Sequence, residues 1–147
     1  MAGYLTTVAC SLILSVGRAH VAIAASPAPL EISGPWLRLP PPGVKVTAGY
    51  MTLHNSGNTT LTITGISTTK PTHVELHNSR LTKDGQMSME QAHAVTVAPG
   101  ATVRLAPAGM HAMIFDAPTL AAGGTLDFTL ELQDGRRVKG AFTAQRP

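Results

Sequence analysis

The chain has 147 residues, a formal net charge of +3 at pH 7, and 44% hydrophobic residues. This length is typical of a single domain with a core of its own. The basic residues are scattered, and only one Trp, two Tyr and three Phe occur. The composition therefore excludes a basic stripe with interleaved aromatic side chains, and we expect no nucleic-acid partner.

The first segment is typical of an export signal. Residues 5–16 are apolar or small and carry no charge, and the Ala22-Ile23-Ala24 stretch has the small-x-small pattern of a signal-peptidase site. The apolar run is shorter than the roughly 20 residues of a membrane span, although a retained anchor is the alternative. We expect a signal peptide over 1–25, a periplasmic domain over 26–147, and no membrane span in the mature form.

Cys10 is the only cysteine, and it lies inside the predicted signal peptide. The mature domain would then contain no thiol. Thiolate zinc sites, iron–sulfur clusters, cysteine nucleophiles and blue-copper sites all need a thiolate and are therefore excluded.

The rest of the chain has the pattern of short strands separated by turn residues. Apolar residues alternate at a period of two, and Gly57-Asn58, Pro99-Gly100 and Asp134-Gly135 are typical of turns. Asp134-Gly135 also predicts a two-residue hairpin. This pattern predicts an all-β fold, a Greek-key β-sandwich or barrel. The predicted strands are 32–38, 48–55, 60–66, 73–79, 86–90, 93–97, 102–106, 110–116, 125–133 and 136–144.

Histidine and methionine are distributed unevenly, and four of the five methionines that follow the start lie between 87 and 113. Four of their side chains stand out as candidate metal ligands: His77, Met89, His111 and Met113. The last two are two residues apart, so on a strand they project from the same face. Imidazole nitrogen and thioether sulfur suit soft Cu(I), whereas Ca²⁺ and Mg²⁺ need a cluster of oxygen ligands that this sequence lacks.

The spacing of these residues resembles the motif of the periplasmic copper chaperones called PCuAC. His77 opens the motif, Asn78 takes an optional methionine position, and ten residues follow before Met89. A further 21 residues precede the sequence His111-Ala112-Met113. The resemblance also covers Trp36, the Pro42-Gly43 loop, the 48–55 segment and the 74–77 segment, so it spans nearly the whole mature domain.

The resemblance implies a cupredoxin-like sandwich that binds one Cu(I) ion per chain through His77, Met89, His111 and Met113. It also implies delivery of copper to an apo copper-accepting protein, either a cytochrome c oxidase subunit or a Sco-type protein. Asn78 departs from the motif and removes an optional thioether. We expect a monomeric metallochaperone with no enzymatic activity and, because no His/Met-rich tail follows, one copper site.

Other residues of the same types have simpler interpretations. Met87 shares the face of Met89 and is either a further ligand or part of the lining of the site. We expect Met110 at the core or its rim, His54 in a structural or solvated role, and Trp36 as an anchor of the core. His73 and His93 are expected at the surface.

Two other functions are compatible with the sequence. A copper redox protein is compatible with a β-sandwich, although the thiolate of a blue-copper centre is absent. A binding module without a metal is equally compatible, because a fold does not determine a function. Glu75 and Asp116 are too isolated in the sequence to suggest a catalytic pair of carboxylates.

Overall fold

The computed structural model describes residues 28–69 and 72–146, and every regular element in those ranges is a β-strand. The predicted signal peptide over 1–25 lies outside the described residues, and the division into 1–25 and 26–147 stays a prediction. The strands are β1 Leu30–Arg38, β2 Thr47–Asn55, β3 Leu61–Thr68, β4 His73–Leu81, β5 Met87–Gln91, β6 Val95–Val97, β7 Thr102–Leu105, β8 Met110–Phe115, β9 Thr125–Leu132 and β10 Arg137–Gln145.

Alternation of apolar and polar residues explains these strands. In β9, Leu126, Phe128, Leu130 and Leu132 are buried, and Thr125 and Asp127 between them are exposed. This period of two places one face of the strand on the core and leaves the other to solvent. The β9–β10 hairpin turns at Gly135, which has a φ of +84°. Such a φ strains any residue with a Cβ, so glycine is favoured there.

The strands form one continuous hydrogen-bonded path in the order β5-β4-β8-β2-β1-β10-β9-β3-β6, and β7 pairs with β2 beside β8. All the pairs are antiparallel except β1 with β10. The path folds over on itself, because Leu76 of β4, near one end, and Ile63 of β3 and Val97 of β6, at the other, belong to one buried cluster. The molecule is therefore a β-sandwich with one core.

Two contacts hold the halves of the sandwich close together. A Cβ at Gly49 in β2 would lie 2.8 Å from the Phe142 ring of β10, so only glycine permits this separation. At the end of β2, the fully buried Asn55 donates from Nδ2 to the carbonyl of Val97 in β6, at 2.9 Å. These contacts fix β2, the strand next to β8, relative to the opposite layer.

The structure confirms the all-β prediction and all ten strands, with shifts of one to two residues at most boundaries. One prediction about the core was wrong. Trp36 is only partly buried and stacks on Tyr50 outside the core cluster. Its neighbour Leu37 takes the core position, because consecutive residues of a strand face opposite sides.

In the part of the chain that the structure describes, no helix is long and apolar enough to cross a membrane.

Candidate metal centre

The four candidate ligands lie on one face of three neighbouring strands. β4 is paired on one side with β5 and on the other with β8, and residues opposite each other in these pairs share a face. The opposite face carries Leu76, Ala112 and Ile114, which are buried in the core. The His/Met face is the outward face of β5-β4-β8, and it carries the following residues: His73, Glu75, His77, Ser79, Leu81, Met87, Met89, Gln91, His111, Met113 and Phe115.

Two imidazoles lie at the centre of the His/Met face. His77 of β4 is directly opposite His111 of β8, and their ring centroids are 6.0 Å apart. His111 is only 5% exposed, and the side chain of His77 is 15% exposed. The sheet thus brings together two histidines that are distant in the sequence and holds both in place.

Glu75 determines which nitrogen of His77 is available. The ring donates from Nε2 to Oε2 of Glu75 at 2.7 Å, so in its neutral form it keeps a lone pair on Nδ1. Nδ1 is buried and has no hydrogen-bond partner. A buried imidazole nitrogen without a partner, with a carboxylate on the other nitrogen, is the arrangement found in metal-binding histidines.

Glu75 is itself held by two histidines. His73 donates from Nε2 to Oε1 at 2.7 Å, while His77 occupies Oε2. The hydrogen bond from His73, and next that from His77, lower the pKa of the Glu75 carboxyl. The carboxylate is therefore ionised at neutral pH and accepts a hydrogen bond from each ring. Sequence reasoning missed this role, although the i−2 spacing from His77 places Glu75 on the same face.

His111 presents its other ring nitrogen. Its Nδ1 donates to the carbonyl of Gly109 at 3.0 Å, which leaves the lone pair on Nε2 in the neutral ring. The same carbonyl accepts a hydrogen bond from the backbone N–H of Ser79 in β4, at 3.0 Å. The turn before β8 is thereby tied to β4, and the orientation of the His111 ring is tied to both.

The two methionines lie on opposite sides of His77. Glu75 and Ser79 are the neighbours of His77 on the same face of β4. Met89 of β5 lies opposite Ser79, and Met113 of β8 lies opposite Glu75. Such diagonal neighbours in a sheet lie within reach of long side chains. Met89 is 51% exposed on the strand at the end of the path, whereas Met113 is partly buried. Met87 shares the face but lies a further pair away, opposite Leu81.

The donor set is unusual in composition. Within residues 28–69 and 72–146, no three His, Cys, Asp or Glu side chains are grouped so that they could hold a metal ion. A site with more than two donors here needs thioether sulfur. Two imidazoles and two thioethers form a soft, uncharged set that suits Cu(I) better than Zn²⁺, Ca²⁺ or Mg²⁺.

The remaining candidate residues lie where the sequence indicated. His54 lies in β2, away from the imidazole pair, and its Nδ1 is hydrogen-bonded to Oγ1 of Thr102 in β7 at 3.1 Å. Met110 packs against the core from the opposite face. His93 is exposed. His73 is also exposed, but it contacts Glu75 and the Phe115 ring on the His/Met face.

Residues 30–144 match the LpqE-like family, whose description is "Putative lipoprotein LpqE-like". The putative lipoprotein Lxx21020 of Leifsonia xyli subsp. xyli is 30% identical over 109 residues. The aligned part is 72% of this chain and 63% of that protein, so the chain spans less than two thirds of the relative's length.

Solved structures with the same fold are PCuAC domains and a related protein of Deinococcus radiodurans. The apo PCuAC domain from PmoF1 is 25% identical, with a TM-score of 0.69 over 83% of this chain and 98% of that domain. CuI-DR1885 from Deinococcus radiodurans is 28% identical, with a TM-score of 0.61 over 85% of this chain and 82% of that one. The predicted cupredoxin-like sandwich is confirmed: the chain belongs to the LpqE-like family and has the fold of the PCuAC domains.

Proposed function

We propose that this protein is a copper metallochaperone that binds one Cu(I) ion at His77, Met89, His111 and Met113. The observation that carries the proposal is the pair of facing imidazoles, each with one nitrogen held by a hydrogen bond and the other free of one. A thioether flanks the pair on each side. The relative CuI-DR1885 is described as a Cu(I) form, which supports the same metal here.

Transfer rather than storage follows from the chemistry of the donors. Thioethers are weaker ligands than thiolates, they do not form disulfides, and Met89 lies half exposed at the edge of the sheet. An acceptor protein can therefore replace the ligands stepwise, and acceptor thiolates make the transfer favourable. We propose no covalent chemistry and no enzymatic activity.

The cellular setting is part of the same proposal. The descriptions of the family and of the Leifsonia xyli relative both read "putative lipoprotein", which supports export of this chain. We propose that the protein acts in the periplasm as a monomer. Its acceptor would be an apo copper protein, either the copper subunit of cytochrome c oxidase or a Sco-type protein.

The ligand set is tested by anaerobic titration with Cu(I) against a chromophoric chelator. The wild-type protein should compete for one equivalent, and the double variant His111→Ala/Met113→Ala should not compete while keeping its fold by circular dichroism. The double variant His93→Ala/Met87→Ala is the matched control and should bind as the wild type does. Stoichiometric binding by the first variant would overturn the site, and loss of binding in the control would bring Met87 into it.

Delivery is tested separately by mixing the Cu(I)-loaded protein with the apo form of the soluble copper domain of cytochrome c oxidase. Native mass spectrometry should find the copper on the acceptor, whereas copper retained by this chain would exclude that recipient.

If the chain cycles reversibly between Cu(I) and a strongly absorbing Cu(II) form, the redox alternative gains support. Failure to compete with any chelator would favour the binding module without a metal.

A further inference from the structure

A row of four rings crosses the outward side of four neighbouring strands. Trp36 of β1 is opposite Tyr50 of β2, with ring centroids 4.5 Å apart. Tyr50 lies 6.4 Å from His111 of β8, and His111 lies 6.0 Å from His77 of β4. The β2–β8 register pairs Ala48 with Met113 and Gly49 with Ala112, so its next pair is Tyr50 with His111.

These separations lie in the range at which aromatic rings attract each other, roughly 4.5–7 Å between centroids. Tyr50 is only 6% exposed although it faces away from the core. It is covered on the outside by its neighbours in the row instead. The ring of Tyr50 therefore forms one wall of the space that His111 occupies, and Trp36 supports that wall from the far side.

We infer that Tyr50, supported by Trp36, is a positioning residue that holds the His111 ring with Nε2 towards the candidate copper site. The Gly109 carbonyl defines which nitrogen carries the proton, but one hydrogen bond leaves the ring able to tilt. Contact with Tyr50 on one side restricts that tilt. This inference rests on the proposed function for its copper readout, but not for its readout in the copper-free protein.

The chain supplies a matched control on the same face. Phe115 of β8 packs on His73 of β4 with a centroid distance of 5.6 Å, and these residues are paired in the sheet. His73 is not among the proposed ligands. Phe115→Leu therefore removes an aromatic contact to a histidine of the His/Met face without touching His111.

The experiment compares Tyr50→Leu, Tyr50→Phe and Phe115→Leu with the wild type. In the copper-free protein, ¹⁵N NMR of the His111 side chain should report one tautomer, protonated at Nδ1, in the wild type, in Tyr50→Phe and in Phe115→Leu. Tyr50→Leu should give averaged shifts, because a ring that is free to tilt loses its hydrogen bond to the Gly109 carbonyl for part of the time and then exchanges between tautomers. Chelator competition should find Cu(I) affinity lowered by about 10-fold in Tyr50→Leu, the lower end of the effect of losing a residue that orients a metal ligand.

Rescue by phenylalanine separates the ring from the hydroxyl group. An unchanged His111 spectrum in Tyr50→Leu, or equal loss in Tyr50→Phe and Tyr50→Leu, would overturn the inference. An equal loss of affinity in Phe115→Leu would also overturn it, since the effect would then belong to the whole face. If the wild type binds no Cu(I), the proposed function fails, and the copper-free spectrum still decides whether Tyr50 positions His111.

Discussion

At the scale of single residues, the candidate site is defined by which nitrogen each histidine leaves free. Glu75 takes Nε2 of His77, and the Gly109 carbonyl takes Nδ1 of His111. The two rings thus present opposite nitrogens, which is a consequence of their different partners and not of the sequence motif alone. Mutating a residue that orients a metal ligand and fixes its tautomer typically lowers metal affinity by about 10- to 100-fold.

Replacing Glu75 by Gln should therefore weaken Cu(I) binding with little effect on folding. The amide is isosteric but neutral, so it accepts the Nε2 proton of His77 less strongly and holds the ring less firmly. We expect the Cu(I) dissociation constant, measured by chelator competition, to rise by about 10-fold.

Glu90→Gln is the control for that change. Glu90 pairs with Arg80 at 2.6 Å, and both side chains are about 60% exposed on the other side of the β4–β5 pair. We expect it to bind Cu(I) as the wild type does. Equal affinities for Glu75→Gln and Glu90→Gln would contradict a positioning role for Glu75.

At the scale of the elements, the β9–β10 hairpin combines a turn with a local ion pair. Arg136 donates from Nε and Nη2 to Oδ2 of Asp134, at 2.8 and 2.6 Å, and its backbone N–H donates to Oδ1. These bonds, the side-chain one first, lower the pKa of Asp134 from its ordinary value of 3.8. Both residues flank Gly135, so the ion pair favours the turn that joins the two strands.

The contribution of this ion pair to stability should depend on pH. Because the folded state lowers the pKa of Asp134, the pair stabilises the fold above pH 3.8 and loses its effect as the pH falls through the lower, folded pKa. The difference in unfolding free energy between the wild type and Asp134→Asn should be small and constant near neutral pH, as for exposed pairs generally. Urea unfolding at decreasing pH should find that difference shrinking towards zero.

Arg136→Gln provides the reciprocal test, since it removes the donor and leaves the carboxylate. Its difference from the wild type should shrink over the same pH range. If the difference for either variant grew as the pH fell, the sign of the linkage would be wrong.

At the scale of the whole molecule, Asn55 joins the two layers. Its side chain is fully buried, donates to the carbonyls of Thr59 and Val97, and accepts from the backbone N–H of Gly57. Its backbone also exchanges hydrogen bonds with Ala101 and Gly100. Buried carbonyl groups that lose their donor are costly, so this one side chain ties the end of β2 to β6 and to the turn between β2 and β3.

Asn55→Ala should lower the unfolding free energy by about 3 kcal/mol, because each buried polar group left without a partner costs about 1–3 kcal/mol. Urea unfolding followed by circular dichroism measures the change. His54→Ala is the neighbouring control and should lower the unfolding free energy much less, because the His54 side chain makes one hydrogen bond within the described part of the chain, to the exposed Thr102. An equal loss in both variants would mean that the bonds of Asn55 do not join the layers as described.

The sequence by itself determined the strands, because alternation with a period of two and turn residues such as Asp134-Gly135 are local properties. It also placed His111 with Met113 on one face, since their side chains are two residues apart. The tertiary structure decided that His77 lies opposite His111, that Tyr50 lies beside it, and that Trp36 covers Tyr50 instead of entering the core. Strands distant in sequence adopt these registers only when the two layers close around a common core, and no local pattern records which strands become neighbours.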